Sequence, residues 1–107
     1  MIRLQNIDEP APWWGTATIT APAGAEPVTI AVQWRYKDRA AAQDWWQRLC
    51  AGANPSRLLL EVMADWRDVD EPLSEQGLSA LANWSIPALK DLATAYLSAL
   101  SESRVKN

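Results

Sequence analysis

The chain has 107 residues, of which 49% are hydrophobic and 21% are charged, a composition typical of folded globular domains and not of disordered chains. This length suits one domain, so we expect residues 1–107 to share one core, with residues 1–12 and 102–107 loosely ordered. The formal net charge of −3 argues against DNA, RNA and anionic membrane surfaces as partners, because these attract basic domains.

The sequence carries no sign of export. Its amino end lacks the apolar core of a signal peptide, and no apolar run reaches the length that spans a bilayer. The one cysteine, Cys50, has no second cysteine with which to form an internal disulfide bond. We therefore expect the protein to remain in the cytoplasm in which it is made.

Two segments in the first half have the features of β-strands. Residues 13–20 are rich in β-branched and aromatic types, and residues 28–36 alternate between apolar and polar types. A turn-rich connection joins the two segments, so we predict an antiparallel pair, and a shorter strand at residues 2–4. Because an isolated two-stranded ribbon is marginal in water, we expect a third strand or another molecule to complete the sheet.

After residue 37 the apolar period changes to that of a helix. Asp38 and Ser74 are predicted N-caps, Met63 and Trp66 belong to the buried stripe of the second predicted helix, and Ser85 is expected to cap the last one. Strands followed by helices predict the α+β class, with the helices on one face of a small antiparallel sheet. The four predicted helices lie at about residues 38–51, 56–66, 75–83 and 86–101.

The residue types that carry most enzyme chemistry are scarce. There is no histidine, which removes the commonest general base and the commonest metal ligand. Cys50 is not expected to be a nucleophile, because Arg48 points elsewhere on a helix and cannot activate its thiol. Free cysteines tend to be buried, so we expect a small core residue at this position. The glycines are scattered, so there is no phosphate-binding loop. We predict no catalytic residue, cofactor or metal; an enzyme using Asp or Glu as acid and base is the remaining alternative.

Four carboxylates lie close together in the sequence, at Asp65, Asp68, Asp70 and Glu71. A calcium loop needs a glycine at its turn and a carboxylate further on, whereas Pro72 follows directly here. We interpret these residues as a solvated acidic linker. The first alternative is a docking surface for a basic partner, and the second alternative is a metal site.

Tryptophan is abundant: the chain has seven tryptophans and no phenylalanine. Trp34 and Trp66 lie on the buried phase of their predicted elements and are expected in the core. The two Trp-Trp pairs differ, because neighbours on a strand face opposite sides and neighbours on a helix diverge by about 100 degrees. We expect one ring of each pair to be partly exposed and to contact another protein; an aromatic cage for a small ligand is the weaker alternative. The candidate partner-binding residues are Trp13, Trp14, Trp45 and Trp46, with Asp68, Asp70 and Glu71 of the acidic linker.

The last two fifths of the chain combine a tryptophan at the end of a predicted helix, an acidic linker, and two further predicted helices before a basic end. The residues that carry this pattern are Asp65-Trp66, Asp68-Val69, Asp70-Glu71-Pro72, Ser74-Glu75, Leu78, Leu81, Trp84, Pro87, Tyr96, Leu97 and Lys106-Asn107. The pattern resembles the tail assembly chaperones of long-tailed bacteriophages and prophages, in which a tryptophan closes a helix before a short polar linker.

The resemblance implies a non-enzymatic protein in the cytoplasm of the infected or lysogenic bacterium. Such chaperones bind the long, helical tape-measure protein, keep it soluble and help to recruit tail-tube subunits around it. The implied partners are therefore the tape-measure and tail-tube proteins, and open sheet edges would also permit homo-oligomers. The alternative is a structural or adaptor subunit of a virion or another complex, assembled through its sheet edge.

Overall fold

The computed structural model of the chain describes residues 10–102. Within this range, strands followed by helices form the α+β fold that the sequence predicts, and that prediction is confirmed. The strand predicted at residues 2–4, and most of the ends predicted to be loosely ordered, lie outside the described residues. The strands are β1 (Trp13–Ile19), β2 (Val28–Trp34) and β3 (Met63–Trp66), and the helices are α1 (Arg39–Cys50), α2 (Pro55–Val62), α3 (Glu75–Trp84) and α4 (Ala88–Glu102).

The strands form one antiparallel sheet in the order β1-β2-β3, with β2 in the centre. Trp13 pairs with Trp34 and Ile19 pairs with Val28, in unbroken register along the hairpin. A third strand or another molecule was expected to complete the sheet. In the described part of the chain, a third strand does so.

The second predicted helix is too long: residues 63–66, assigned to it from the sequence, form β3 instead. Val32 pairs with Trp66 and Trp34 pairs with Met63, so β3 has one residue more than β2 between these two pairs. Such a bulge places Met63 and Trp66 on the same face of the sheet although they are three positions apart. Because a spacing of three also marks one face of a helix, the apolar period could not separate the two structures.

The core lies between the sheet and the helices that cover one of its faces. The rings of Trp34 and Trp45 both pack against Tyr96, with centroid distances of 5.4 Å and 5.3 Å. The expected core positions of Trp34 and Trp66 are confirmed, because both side chains are buried. The largest fully buried side chains are Trp34, Trp45, Tyr96, Ile19, Leu59, Leu78, Leu92, Val32 and Val62.

The polar atoms of three buried aromatic side chains donate to backbone carbonyls of neighbouring segments. Trp45 Nε1 donates to the carbonyl of Leu58 at 2.7 Å, and Tyr96 Oη donates to that of Arg35 at 2.8 Å. Trp66 Nε1 donates to a carbonyl in the loop after β3 at 2.8 Å. Burial raises the pKa of the Tyr96 hydroxyl, so it stays a donor. These bonds fix the rings because a buried, unpaired polar group is costly.

Two glycines stand where the packing leaves no room for a side chain. A Cβ atom on Gly15 would lie 2.9 Å from Nε1 of Trp34, which crosses beneath β1. A Cβ atom on Gly77 would lie 2.5 Å from the carbonyl oxygen of Pro72. Because Gly15 has no side chain, the Trp34 ring can fill the space under the hairpin. Because Gly77 has none, the acidic loop can pack onto the start of α3.

Two of the predicted helix caps are confirmed and one is wrong. Asp38 accepts a hydrogen bond from the amide of Ala41, and the Ser74 hydroxyl accepts one from that of Gly77. Ser85 does not cap α4: its buried hydroxyl donates to the carbonyl of Thr20 at 2.5 Å, and the helix begins only at residue 88. The expected cap is lost because this hydroxyl ties the connection between α3 and α4 to the end of β1.

Cys50 is exposed, so the expectation of a core position is wrong. It is the last residue of α1, and the neighbouring Leu49 packs against the core. Because successive helical residues diverge by about 100 degrees, burial of Leu49 turns the thiol toward solvent.

Candidate partner-binding site

Large apolar side chains remain exposed at several places on the folded chain. Trp14 and Trp46 are each 38% exposed, Trp84 is 46% exposed and Ile86 is 94% exposed. Scattered exposed apolar residues are normal, but tryptophan is enriched at the centres of protein interfaces. The surroundings of each side chain therefore decide whether it can form part of a binding surface.

The Trp45-Trp46 pair divides between core and surface. Trp45 is 0% exposed and held by its hydrogen bond to Leu58, so its ring cannot contact a partner while the fold is intact. The structure therefore contradicts an exposed ring at Trp45, on which its choice as a partner-binding candidate rested. Trp46 lies on an adjacent face of α1, and the expectation that one ring of the pair is partly exposed is confirmed.

The Trp13-Trp14 pair lies on opposite faces of β1, as neighbours on a strand must. Trp13 is half-buried and packs against the core, whereas Trp14 lies on the open face of the sheet. The guanidinium carbon of Arg67 stands 4.1 Å from the ring centre of Trp14. This cation–π contact covers part of the indole and holds it in place.

A groove of about 760 Å³ opens between α1 and the end of α4. On the α1 side it is lined by Arg39, Gln43 and Trp46, and on the α4 side by Leu97 and Leu100. Of the four predicted tryptophans, Trp46 is the one that lines this groove.

The connection between α3 and α4 carries an apolar pair that the sequence analysis missed. Trp84 is the last residue of α3, and Ile86 projects into solvent. The residue between them, Ser85, is held by its hydrogen bond to the carbonyl of Thr20. Ile86 is the first residue of the last predicted helix, and an apolar residue at such a position is normally assigned to the core, so the sequence held no signal that separated it from a buried residue.

The acidic linker is exposed at Asp68, Asp70 and Glu71. Asp68 adopts a positive φ of 69°, and the Glu71 carbonyl accepts the indole hydrogen bond from Trp66. This backbone bond fixes the loop against the core while the three carboxylates point away from it. Across residues 10–102, no group of three or more His, Cys, Asp or Glu side chains is placed to hold a metal ion.

An ion-pair network joins α1 to α2 beside the groove. Arg48 donates to both carboxylate oxygens of Glu61, at 2.8 and 2.9 Å, and to Asp44 at 3.0 Å. Lys37 lies 3.5 Å from the same Glu61 carboxylate. The hydrogen bonds from Arg48 hold the pKa of Glu61 below its ordinary value of 4.5, although burial acts in the opposite direction.

No described helix is both long and apolar enough to cross a membrane. No curated protein and no solved structure matches the chain. The phage tail assembly chaperone family matches residues 15–107, a range that covers all of the hairpin except its first two residues, and all of the helices. The resemblance noted in the second half therefore extends to nearly the whole sequence, and the chain belongs to the phage tail assembly chaperone family.

Proposed function

We propose that the chain is a non-catalytic assembly chaperone that binds the tape-measure protein of a phage or prophage. It keeps that protein soluble in the host cytoplasm and helps to recruit tail-tube subunits around it. The observation that carries this proposal is the retention of exposed indole and isoleucine side chains on a folded member of this family.

The proposed mechanism is the covering of apolar stripes on tape-measure helices. Trp14, Trp46, Trp84 and Ile86 supply apolar area on elements that the core holds in place, so little conformational freedom is lost on binding. Trp45 has no direct part in this mechanism, and the half-buried Trp13 supports its neighbour from the core side.

The acidic linker would add charge complementarity to basic stretches of a partner. Asp68, Asp70 and Glu71 are exposed and belong to a loop whose backbone is tied to the core. Rim charges of this kind affect the rate of encounter and the choice of partner more than the affinity. We therefore assign them a role in selectivity.

Co-expression with the tape-measure protein of the same phage or prophage tests the proposal. The wild-type chain should raise the soluble fraction of the tape-measure protein, and a Trp14→Ala/Trp46→Ala/Trp84→Ala variant should lose most of that effect. A Thr16→Ala/Thr18→Ala variant, changed on the same open sheet face as Trp14, serves as the matched control. Equal solubilisation by the tryptophan variant, with its helical circular dichroism intact, would argue against the proposal.

A structural or adaptor subunit is the second candidate function, and the edge of the sheet favours it. In the described part of the chain β1 is an outer strand, and it contains no charged residue, no proline and no bulge. Natural edge strands usually carry such features to prevent pairing with other chains. Mass spectrometry of purified virions separates the two functions, because a chaperone is absent from the finished particle and a structural subunit remains in it.

A further inference from the structure

The groove between α1 and α4 has the form of a helix-binding cleft. On α1, Arg39, Gln43 and Trp46 stand at i, i+4 and i+7, so they follow one another along one face. On α4, Leu97 and Leu100 stand at i and i+3 and supply apolar area on the other side. Two helix faces that flank an open groove match the recognition mode in which an amphipathic helix inserts its apolar stripe.

The charge of the groove is opposite to that of the chain as a whole. Lys37 and Arg39 are among its lining residues, and no carboxylate of residues 10–101 is, whereas the net charge of the chain is −3. Lys37 shares Glu61 with Arg48, but among residues 10–101 no carboxylate forms an ion pair with Arg39. A binding helix with carboxylates beside its apolar stripe would complete this arrangement, and one with lysines would be repelled.

The groove is also held in shape before anything binds. Trp45, the residue before Trp46, is fully buried, donates to Leu58 and packs edge-on against Tyr96. The same helix is tied to α2 by the two hydrogen bonds from Arg48 to Glu61. Because these contacts fix the α1 side of the groove, less conformational freedom is lost when a helix binds there.

We propose that this groove is the docking site for an amphipathic α-helix that carries carboxylates beside its apolar stripe. Trp46 contacts the apolar stripe and Arg39 pairs with a flanking carboxylate. The assignment rests on the proposed function, in which the partner is a long helical protein, and it names the surface and the chemistry by which that partner is bound.

Binding of two synthetic helices to the full chain, measured by fluorescence anisotropy of a label on the peptide, tests the proposal. Both peptides carry leucines at i, i+3, i+4 and i+7; glutamates flank the stripe in the first and lysines in the second. The wild-type chain should bind the glutamate peptide more tightly. Trp46→Ala should weaken that binding by about tenfold or more. Arg39→Glu should weaken it severalfold and move the preference toward the lysine peptide.

Matched control variants lie outside the groove. Val28→Ala removes an apolar side chain of similar exposure from the start of β2, and Lys90→Glu makes the same charge change as Arg39→Glu near the start of α4. Both should bind the glutamate peptide within about twofold of wild type. Equal binding of both peptides by the wild type, or unchanged binding by Trp46→Ala and Arg39→Glu, would overturn the proposal. The proposal would also be overturned if neither peptide bound and the wild-type chain formed a dimer that Trp46→Ala dissociates, because the groove would then be occupied by a second copy of the chain.

Co-expression separates failure of this docking site from failure of the proposed function. If the tape-measure protein is kept soluble equally by wild type, Trp46→Ala and Arg39→Glu, the chaperone function stands and the groove is not its site. If the glutamate peptide binds as expected while the wild type leaves the tape-measure protein insoluble, the docking site stands and the assigned partner is wrong.

Discussion

The two adjacent tryptophans of α1 should differ sharply in what they contribute to stability. Trp45 is fully buried, and its indole nitrogen donates to the Leu58 carbonyl at 2.7 Å, whereas Trp46 is 38% exposed. Replacing each in turn by phenylalanine keeps an aromatic ring and removes the indole nitrogen. The pair of variants therefore compares one chemical change at a core position and at a surface position of the same helix.

We expect Trp45→Phe to lower the free energy of unfolding by about 2–4 kcal/mol. An unpaired buried carbonyl at Leu58 costs roughly 1–3 kcal/mol. The smaller ring leaves a cavity that adds roughly 1 kcal/mol, at about 24 cal/mol per Å³ of cavity volume. We expect Trp46→Phe to change stability by less than about 0.5 kcal/mol, because it removes no buried contact of this kind.

Urea denaturation followed by far-ultraviolet circular dichroism measures this difference without depending on which indoles fluoresce. Domains of this size have roughly 5–15 kcal/mol of stability, so both variants should remain folded in water. Equal losses for the two variants, or a loss below about 0.5 kcal/mol for Trp45→Phe, would refute the assignment of Trp45 to the core and Trp46 to the exposed surface.

Three further predictions follow from individual contacts. Gly77→Ala should lower the free energy of unfolding by about 1–3 kcal/mol in the same assay, because the new Cβ would lie 2.5 Å from the Pro72 carbonyl oxygen. A gain in stability would instead show that the acidic loop shifts freely. Arg48 holds the pKa of Glu61 in the folded chain below its ordinary value of 4.5. The ion pair therefore stabilises the fold fully above pH 4.5, and this stabilisation is lost as the pH falls through the folded-state pKa. Glu61→Gln should therefore flatten the pH dependence of stability on the acid side, and an unchanged pH profile would exclude this contribution. Cys50 is exposed, so the native chain should react with a thiol reagent at a rate close to that of the urea-unfolded chain, whereas strong protection would indicate burial.

The resemblance to the family depends on local features of the sequence, and most of them survive in the structure, although Trp66 ends β3 and not a helix as the pattern predicts. The indole of Trp66 is buried and bonded to the acidic loop, and Ser74 caps the helix that follows. These features could be predicted because a cap, a turn and a buried aromatic residue each depend on a few neighbouring positions. Helix starts at Asp38 and Ser74 were predicted correctly for the same reason.

What the sequence by itself determined was the order of the hairpin and the four helices, and the side of β2 that faces the core. The period of two in β1 and β2 and the period of 3.6 in the helices follow directly from backbone geometry, so the α+β class could be predicted. It also determined that at least one ring of each Trp-Trp pair would be hard to bury, since adjacent side chains diverge.

Only the tertiary structure decided which ring of each pair is exposed and where the groove lies. The spacing of Met63 and Trp66 fits either a helix or a bulged strand, and pairing with β2 selected the strand. Burial of Trp45 depends on a carbonyl of α2, and exposure of Ile86 depends on a hydroxyl bond from Ser85 to the end of β1. These contacts join residues distant in the chain, and no local period or motif encodes them.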